Sequence, residues 1–183
     1  MQGLILNPLT VPLPGLPGSS HSWKMEPFRI HTATAKDVPL IMELIRGIAA
    51  YEHLSHEVTA TEEELKHHLF GQNPAAEVLL GFEGTRSVGF ALYFYNFSTF
   101  LGKPGLYLED LFVYPEYRGR GYGKALFLEV ATRARRKNCG RMEWAVLKWN
   151  QPAIAFYEKH KAREMDQWAL YRLREEDLQT LIP

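Results

Sequence analysis

The sequence predicts an α/β fold, a mixed sheet with helices on both faces, and three observations carry that prediction. Segments that alternate like strands are interleaved with segments apolar at helical spacing along most of the chain. At its centre, Leu106 to Val113 reads as a buried strand stopped by Pro115, and a glycine-rich loop leads from there straight into a helical run from Lys124. At 183 residues the chain is long enough for one domain with a full core, and it contains no internal repeat.

Taken in order, Met1 to Lys24 stands apart. It holds four prolines and three glycines, its apolar residues follow no period, and no Lys or Arg precedes position 24, so the charged start of a signal peptide is missing. We read residues 1–24 as a disordered leader and 25–183 as the folded domain, with Met25 as an alternative start. Phe28 to Thr32 reads as a strand. Thr34 and Asp37 offer caps for a helix through Ile41, Leu44, Ile45, Ile48 and Ala49, with Pro39 tolerable in its first turn. Thr61 to Glu64 forms a capping box for a second helix that stops at Gly71. Val78 to Phe82 and Val88 to Phe97 read as a hairpin turning at Glu83-Gly84. After the central strand, a helix from Gly121 to Asn138 presents Ala125, Leu126, Leu128, Val130 and Ala131 and is closed by Gly140. A strand over Arg141 to Leu147, a short helix over Pro152 to His160 and a last strand over Gln167 to Leu173 complete the set.

Composition excludes several functions. With 21 basic and 21 acidic residues the chain has no net charge, which argues against bulk nucleic-acid binding and against a polybasic membrane anchor. No apolar run reaches the length of a membrane span. The lone Cys139 rules out a disulfide framework, fits a reducing, cytoplasmic setting and reads as a space-filling residue. His53, His56, His67 and His68 lack a recognised metal spacing, so no metal is expected. Arg133, Arg135, Arg136 and Lys137 read as a solvated helix end that complements the dipole.

The glycine loop carries the first chemical signal. Gly119, Gly121 and Gly123 remove Cβ atoms where a helix begins, so backbone N–H groups can converge on an anion with the helix dipole behind them. The dinucleotide pattern fails because position 124 is Lys, and the P-loop fails because Arg118 and Ala125 stand where Gly and Ser or Thr are needed. What remains is Arg118-x-x-Gly121-x-Gly123. A glycine-rich surface turn is the bland alternative for the loop taken alone.

That motif resembles the acetyl-CoA pyrophosphate loop of the GNAT acetyltransferase superfamily, placed, as in that family, between a central strand and a long helix. A second stretch strengthens the resemblance: Asn150, Ala153, Phe156, Tyr157 and Lys159 match the family's N-x-x-[AS]-x-x-[FL]-Y-x-[KR] in the same order along the chain. Tyr51-Glu52, Phe90 to Tyr93, Tyr107 to Asp110, Tyr117 to Gly119 and Trp149-Asn150 are similar to the diamine (spermidine/spermine) branch. Phe97 to Phe100 and Val146 to Gln151 look more like the thialysine enzymes of that branch. Polyamine enzymes tend to carry acids where Ser98, Ser55 and His56 stand. Coverage runs from Phe28 to the C-terminal region.

The resemblance implies a fold in which the central strand and the strand after the long helix are parallel and splay apart. It implies that acetyl-CoA lies along Leu111, Phe112 and Val113, on the loop residues Arg118, Gly119, Arg120, Gly121, Tyr122 and Gly123, and against Asn150, Pro152 and Ala153. Tyr157 would protonate the leaving thiolate and Glu109 would take a proton from the amine, while Tyr51, Glu52, Glu109 and Asp110 would bind it. A primary amine near pKa 10.4 has its lone pair free in only about one molecule per thousand at neutral pH, so a base is needed. Without the resemblance, Tyr157 reads as a core tyrosine and Glu109-Asp110 as a solvated strand end. The implied activity is acetyl transfer to a primary amine of a small molecule, of thialysine, lysine-like or polyamine type, by a homodimer. A protein lysine or N-terminal acetyltransferase and a non-catalytic acyl-CoA sensor are the alternatives.

Overall fold

The computed structural model describes residues 27–181, and the leader read over Met1 to Lys24 lies outside them. Five strands form one sheet in the order β1 (Phe28–Thr32), β2 (Glu77–Glu83), β3 (Arg86–Ser98), β4 (Lys103–Val113) and β5 (Arg141–Glu143). The first four pair antiparallel; β4 and β5 are parallel. The sheet is mixed, as expected.

Helices cover both faces. On one, α1 (Val38–Tyr51) and α2 (Glu62–Phe70) bury Ile41, Leu44 and Leu69 against Val78, Leu80, Phe90 and Phe112. On the other, α3 (Tyr122–Arg136) buries Leu126, Phe127 and Val130 against Leu79, Ala91, Tyr93, Leu106 and Leu108. Phe156 and Tyr157 of α4 (Gln151–Lys159) pack onto that second cluster. The capping box forms as read: Thr61 Oγ1 accepts from Glu64 N at 3.2 Å, and Thr61 N donates to Glu64 Oε2 at 2.8 Å.

Several sequence expectations are corrected. The strand expected over Arg141 to Leu147 is three residues long, because its pairing with β4 ends at Tyr107↔Glu143 and nothing lies alongside the rest. Gln167 to Leu173 forms no strand and pairs with none of the five; α5 (Glu175–Leu181) follows it instead, where Glu175, Glu176 and Asp177 suit a helix start. Asn138, at φ 56°, follows the C-terminus of α3, a turn assigned above to Gly140. Gly140 is needed for close approach, since its N–H donates to Pro104 O at 2.8 Å and a Cβ there would lie 2.7 Å from Leu101 Cδ1. Arg133 is no solvated helix end. It ties α3 to the sheet through Thr32 Oγ1 at 2.8 Å, the Tyr93 hydroxyl at 3.3 Å and Glu77 at 3.5 Å.

Candidate active site

The glycine loop has the shape its sequence requires. Gly119 (φ 75°) and Gly121 (φ 85°) are left-handed, a conformation strained for L side chains, and a Cβ built on either meets nothing within 4 Å. Backbone shape, not crowding, demands glycine here. Gly121 is also the N-cap of α3 and has no side chain to cap it, so the first-turn N–H groups of Tyr122, Gly123 and Lys124 are left for an outside acceptor. Gly123 is helical, and its Cβ would meet only Val113 Cγ2 at 3.7 Å. Uncapped N–H groups at the positive end of a helix, beside glycines that open the approach, fit a diphosphate.

The loop's side chains are occupied elsewhere. Arg120 pairs with Glu83 at 3.2 Å and covers the Tyr117 ring. Tyr122 stacks on Phe28 at 4.3 Å and donates its hydroxyl to Glu83. Arg118 donates from Nε to Val113 O at 2.9 Å and lies over the Tyr51 ring at 4.1 Å. Arg120 and Tyr122 therefore offer main chain to the cradle.

Next to the cradle the sheet opens. Beyond Tyr107, β4 keeps β3 on one side and has no strand on the other among the described residues, so Leu111, Phe112 and Val113 border a gap. Asn150, 8% exposed, begins the segment across that gap: its Oδ1 accepts from Ala153 N and from the Tyr51 hydroxyl, each at 3.3 Å. Pro152 occupies the first turn of α4, where its missing N–H costs nothing.

The acids gather at a β-bulge. Leu92 pairs with Asp110 and Tyr93 with Leu108, which leaves Glu109 as the extra residue and turns Asp110 toward the α1 face. Glu109 is exposed and Asp110 half-buried. Burial first, then the charges of Glu109 and Glu52, push the Asp110 carboxyl up to about 7. Glu52 caps the C-terminal end of α1, and burial raises its carboxyl too. Tyr157 sits 4.8 Å from Trp144 and 5.9 Å from Phe127 by ring centroids; burial, then Glu52, pushes its phenol up to about 12. Glu52 thus acts electrostatically on both Asp110 and Tyr157, and Glu109 acts on Asp110.

Comparison with known proteins decides the family. The acetyltransferase (GNAT) family model matches residues 43–161. The chain is 36% identical over 164 residues to the thialysine N-ε-acetyltransferase of Mus musculus, covering 84% of this chain and 96% of that protein. The chain belongs to the GNAT acetyltransferase family. An L-ornithine N5-acetyltransferase of Arabidopsis thaliana is 34% identical, over 84% of this chain and 87% of its own. An integron cassette protein from the V. cholerae mobile metagenome shares the fold at a TM-score of 0.68 and 26% identity, over 84% and 96% of the two chains. The five-stranded mixed sheet with its parting β4 and β5 is the GNAT fold in this chain.

In this GNAT chain three placements go beyond what the sequence could show. Tyr51 faces Arg118 and Asn150, a position its sequence did not reveal. The bulge at Glu109 had no signal in the sequence, since nothing in Leu108 to Leu111 distinguishes it from a regular strand. Ser98 is 2% exposed at the far end of β3, its Oγ 3.4 Å from both Leu101 N and Arg141, roughly 20 Å along the strand from the bulge. Ser98 therefore does not line the acid cluster of its own chain, whereas Ser55 and His56 lie in the exposed turn just after α1.

Asp110 makes stability depend on pH. A carboxyl whose folded pKa lies above its unfolded value contributes stability that is complete below the unfolded value near 4 and is lost as pH rises through about 7. Asp110→Asn lacks that loss, so its melting temperature relative to wild type should climb between pH 4 and pH 8, by at most the equivalent of about 4 kcal/mol. Scanning calorimetry at both pH values checks this; a difference independent of pH would mark Asp110 as an ordinary solvated carboxylate.

Proposed function

We propose that the enzyme transfers the acetyl group of acetyl-CoA to the side-chain amine of a small amino acid of the thialysine, ornithine or lysine type. The observation that carries the reading is the placing of Glu109 and Asp110 at the β-bulge next to the gap between β4 and β5, with the charge of Glu52 acting on both Asp110 and Tyr157. Three carboxylates suit a cationic amine, and the names of the mouse and Arabidopsis relatives point to the same substrate class.

Each group has a task in this reading. The N–H groups at the start of α3 hold the diphosphate, while the free edge of β4 at Leu111 to Val113 and the segment at Asn150, Pro152 and Ala153 flank the rest of acetyl-CoA. Glu52 and Asp110 hold the ammonium. Glu109 takes its proton, directly or through a water, and the freed lone pair attacks the thioester carbon. As the carbon–sulfur bond breaks, Tyr157 gives its proton to the departing sulfur, and the second proton of the acylated nitrogen, lost to water, is balanced by the one that restores the phenol. The one cysteine, Cys139, plays no part: it is half-buried just past the C-terminal end of α3, against the core, and its thiol is pushed up by burial.

The test is acetyl-CoA turnover across a panel of amines at one pH and low salt. We expect thialysine, ornithine or lysine to exceed spermidine in kcat/KM by roughly tenfold, because a second distant ammonium finds Ser55 and His56 where an acid would be worth up to about 4 kcal/mol before desolvation. Spermidine ahead by tenfold would reverse the preference, and turnover of peptide amines alone would overturn the small-molecule reading.

A homodimer in a reducing cytoplasmic setting completes the proposal. Trp168, Leu170, Tyr171 and Leu173 are 72%, 78%, 91% and 56% exposed in the single chain, a concentration of apolar surface that a second copy would cover. Sedimentation equilibrium returning the mass of one chain would remove the dimer.

A further inference from the structure

Tyr51 meets two segments that no backbone ladder joins. The pairing of β4 with β5 ends at Tyr107↔Glu143, so beyond that point nothing in the sheet fixes the distance between the β4 side of the gap and the segment that starts α4. Tyr51, the last residue of α1, touches both sides. On one, the Arg118 guanidinium lies 4.1 Å from its ring centroid, and the same Arg118 holds the carbonyl of Val113, the last residue of β4, at 2.9 Å. On the other, its hydroxyl donates to Asn150 Oδ1 at 3.3 Å, and its ring lies 5.9 Å from Trp149. Both partners lie C-terminal to Tyr51, Arg118 by 67 residues and Asn150 by 99.

We infer that Tyr51 is a positioning residue for the coenzyme, a strut that sets the width of the gap by clamping Arg118 with its face and Asn150 with its hydroxyl. This rests on the loop after β4 being the coenzyme cradle. Its ring fixes the residue that opens the cradle, and its hydroxyl fixes the residue that caps α4. Coenzyme binding and amine binding are thereby linked through one side chain, since Glu52 of the acid cluster is the next residue. A tyrosine that only touched the amine would leave coenzyme affinity alone.

The experiment is titration calorimetry with CoA, no amine present, on the full-length protein. Wild type is measured first: absence of CoA binding would overturn the cradle and the strut with it. Tyr51→Leu should raise the Kd for CoA roughly fivefold to fiftyfold, the combined range of an exposed cation–π contact and a neutral hydrogen bond. Tyr51→Phe keeps the face and loses only the hydroxyl, so its Kd should fall between the two, about twofold to tenfold above wild type, a partial rescue by the conservative variant that general loss of structure would not produce. In an Arg118→Leu background, the effect of Tyr51→Leu should shrink to that of losing the hydroxyl alone, because the contact with the ring face is already gone. If wild type binds CoA and Tyr51→Leu binds it equally well while its amine KM rises, the strut is overturned and Tyr51 is an amine contact only.

Discussion

Tyr157→Phe should bind acetyl-CoA almost normally and turn over about a hundred to ten thousand times more slowly, the range for loss of a general acid and equivalent to about 2.7 to 5.5 kcal/mol in the barrier. The ring stays. Its packing on Trp144 and Phe127 needs no oxygen, and among the described residues the hydroxyl has no hydrogen-bond partner, so stability should change little. A phenol pushed up to about 12 keeps its proton at every working pH, so the acid is always loaded and no loss of rate in the alkaline limb below that value can be assigned to it. Steady-state kinetics with a CoA titration on the same preparation make the check. Equal turnover in the two proteins would return Tyr157 to the core.

The parts of the molecule that were legible in the sequence are those specified locally. Thr61 to Glu64 announces its own helix start, Glu83-Gly84 its own turn, and Arg118 to Gly123 the uncapped end of α3. Relations between distant segments were not legible. The length of β5 depends on where β4 turns away, and no residue of Arg141 to Leu147 records that; its alternation suits a strand whether or not a partner lies alongside. Gln167 to Leu173 failed for the same reason, as strand pattern is permission to pair and not a partner. Lys161 shows the reverse: its side chain announces no turn, yet after α4 it takes the left-handed form at φ 68°, at a cost of about 1–2 kcal/mol. At the site, the residue types near Glu109 were readable, but the bulge that separates exposed Glu109 from half-buried Asp110 belongs to the pairing of β3 with β4.

Gly123→Val should lower affinity for acetyl-CoA by about a hundredfold or more while leaving the fold as stable as before. Gly121 is the more obvious glycine and the poorer test. At φ 85° any side chain there is strained, so Gly121→Val loses stability and binding together, and the two causes cannot be separated. Gly123 is already helical. A Cβ on it meets only Val113 Cγ2 at an ordinary 3.7 Å, and replacing glycine in a helix removes chain entropy from the unfolded state, worth about 0.4–1 kcal/mol for alanine and less for valine. Stability should therefore hold or rise as binding falls. The loss of binding comes from the branched side chain standing over the first-turn N–H groups, where a diphosphate would accept charge-assisted bonds of about 1.5–3 kcal/mol each, so that denying two of them reaches a hundredfold. Scanning calorimetry and CoA titration on wild type, Gly123→Ala and Gly123→Val make the comparison, with Ala expected between the other two in affinity. Wild-type affinity in Gly123→Val would mean that the coenzyme does not sit on the helix end and that the glycines of this loop serve only its turn.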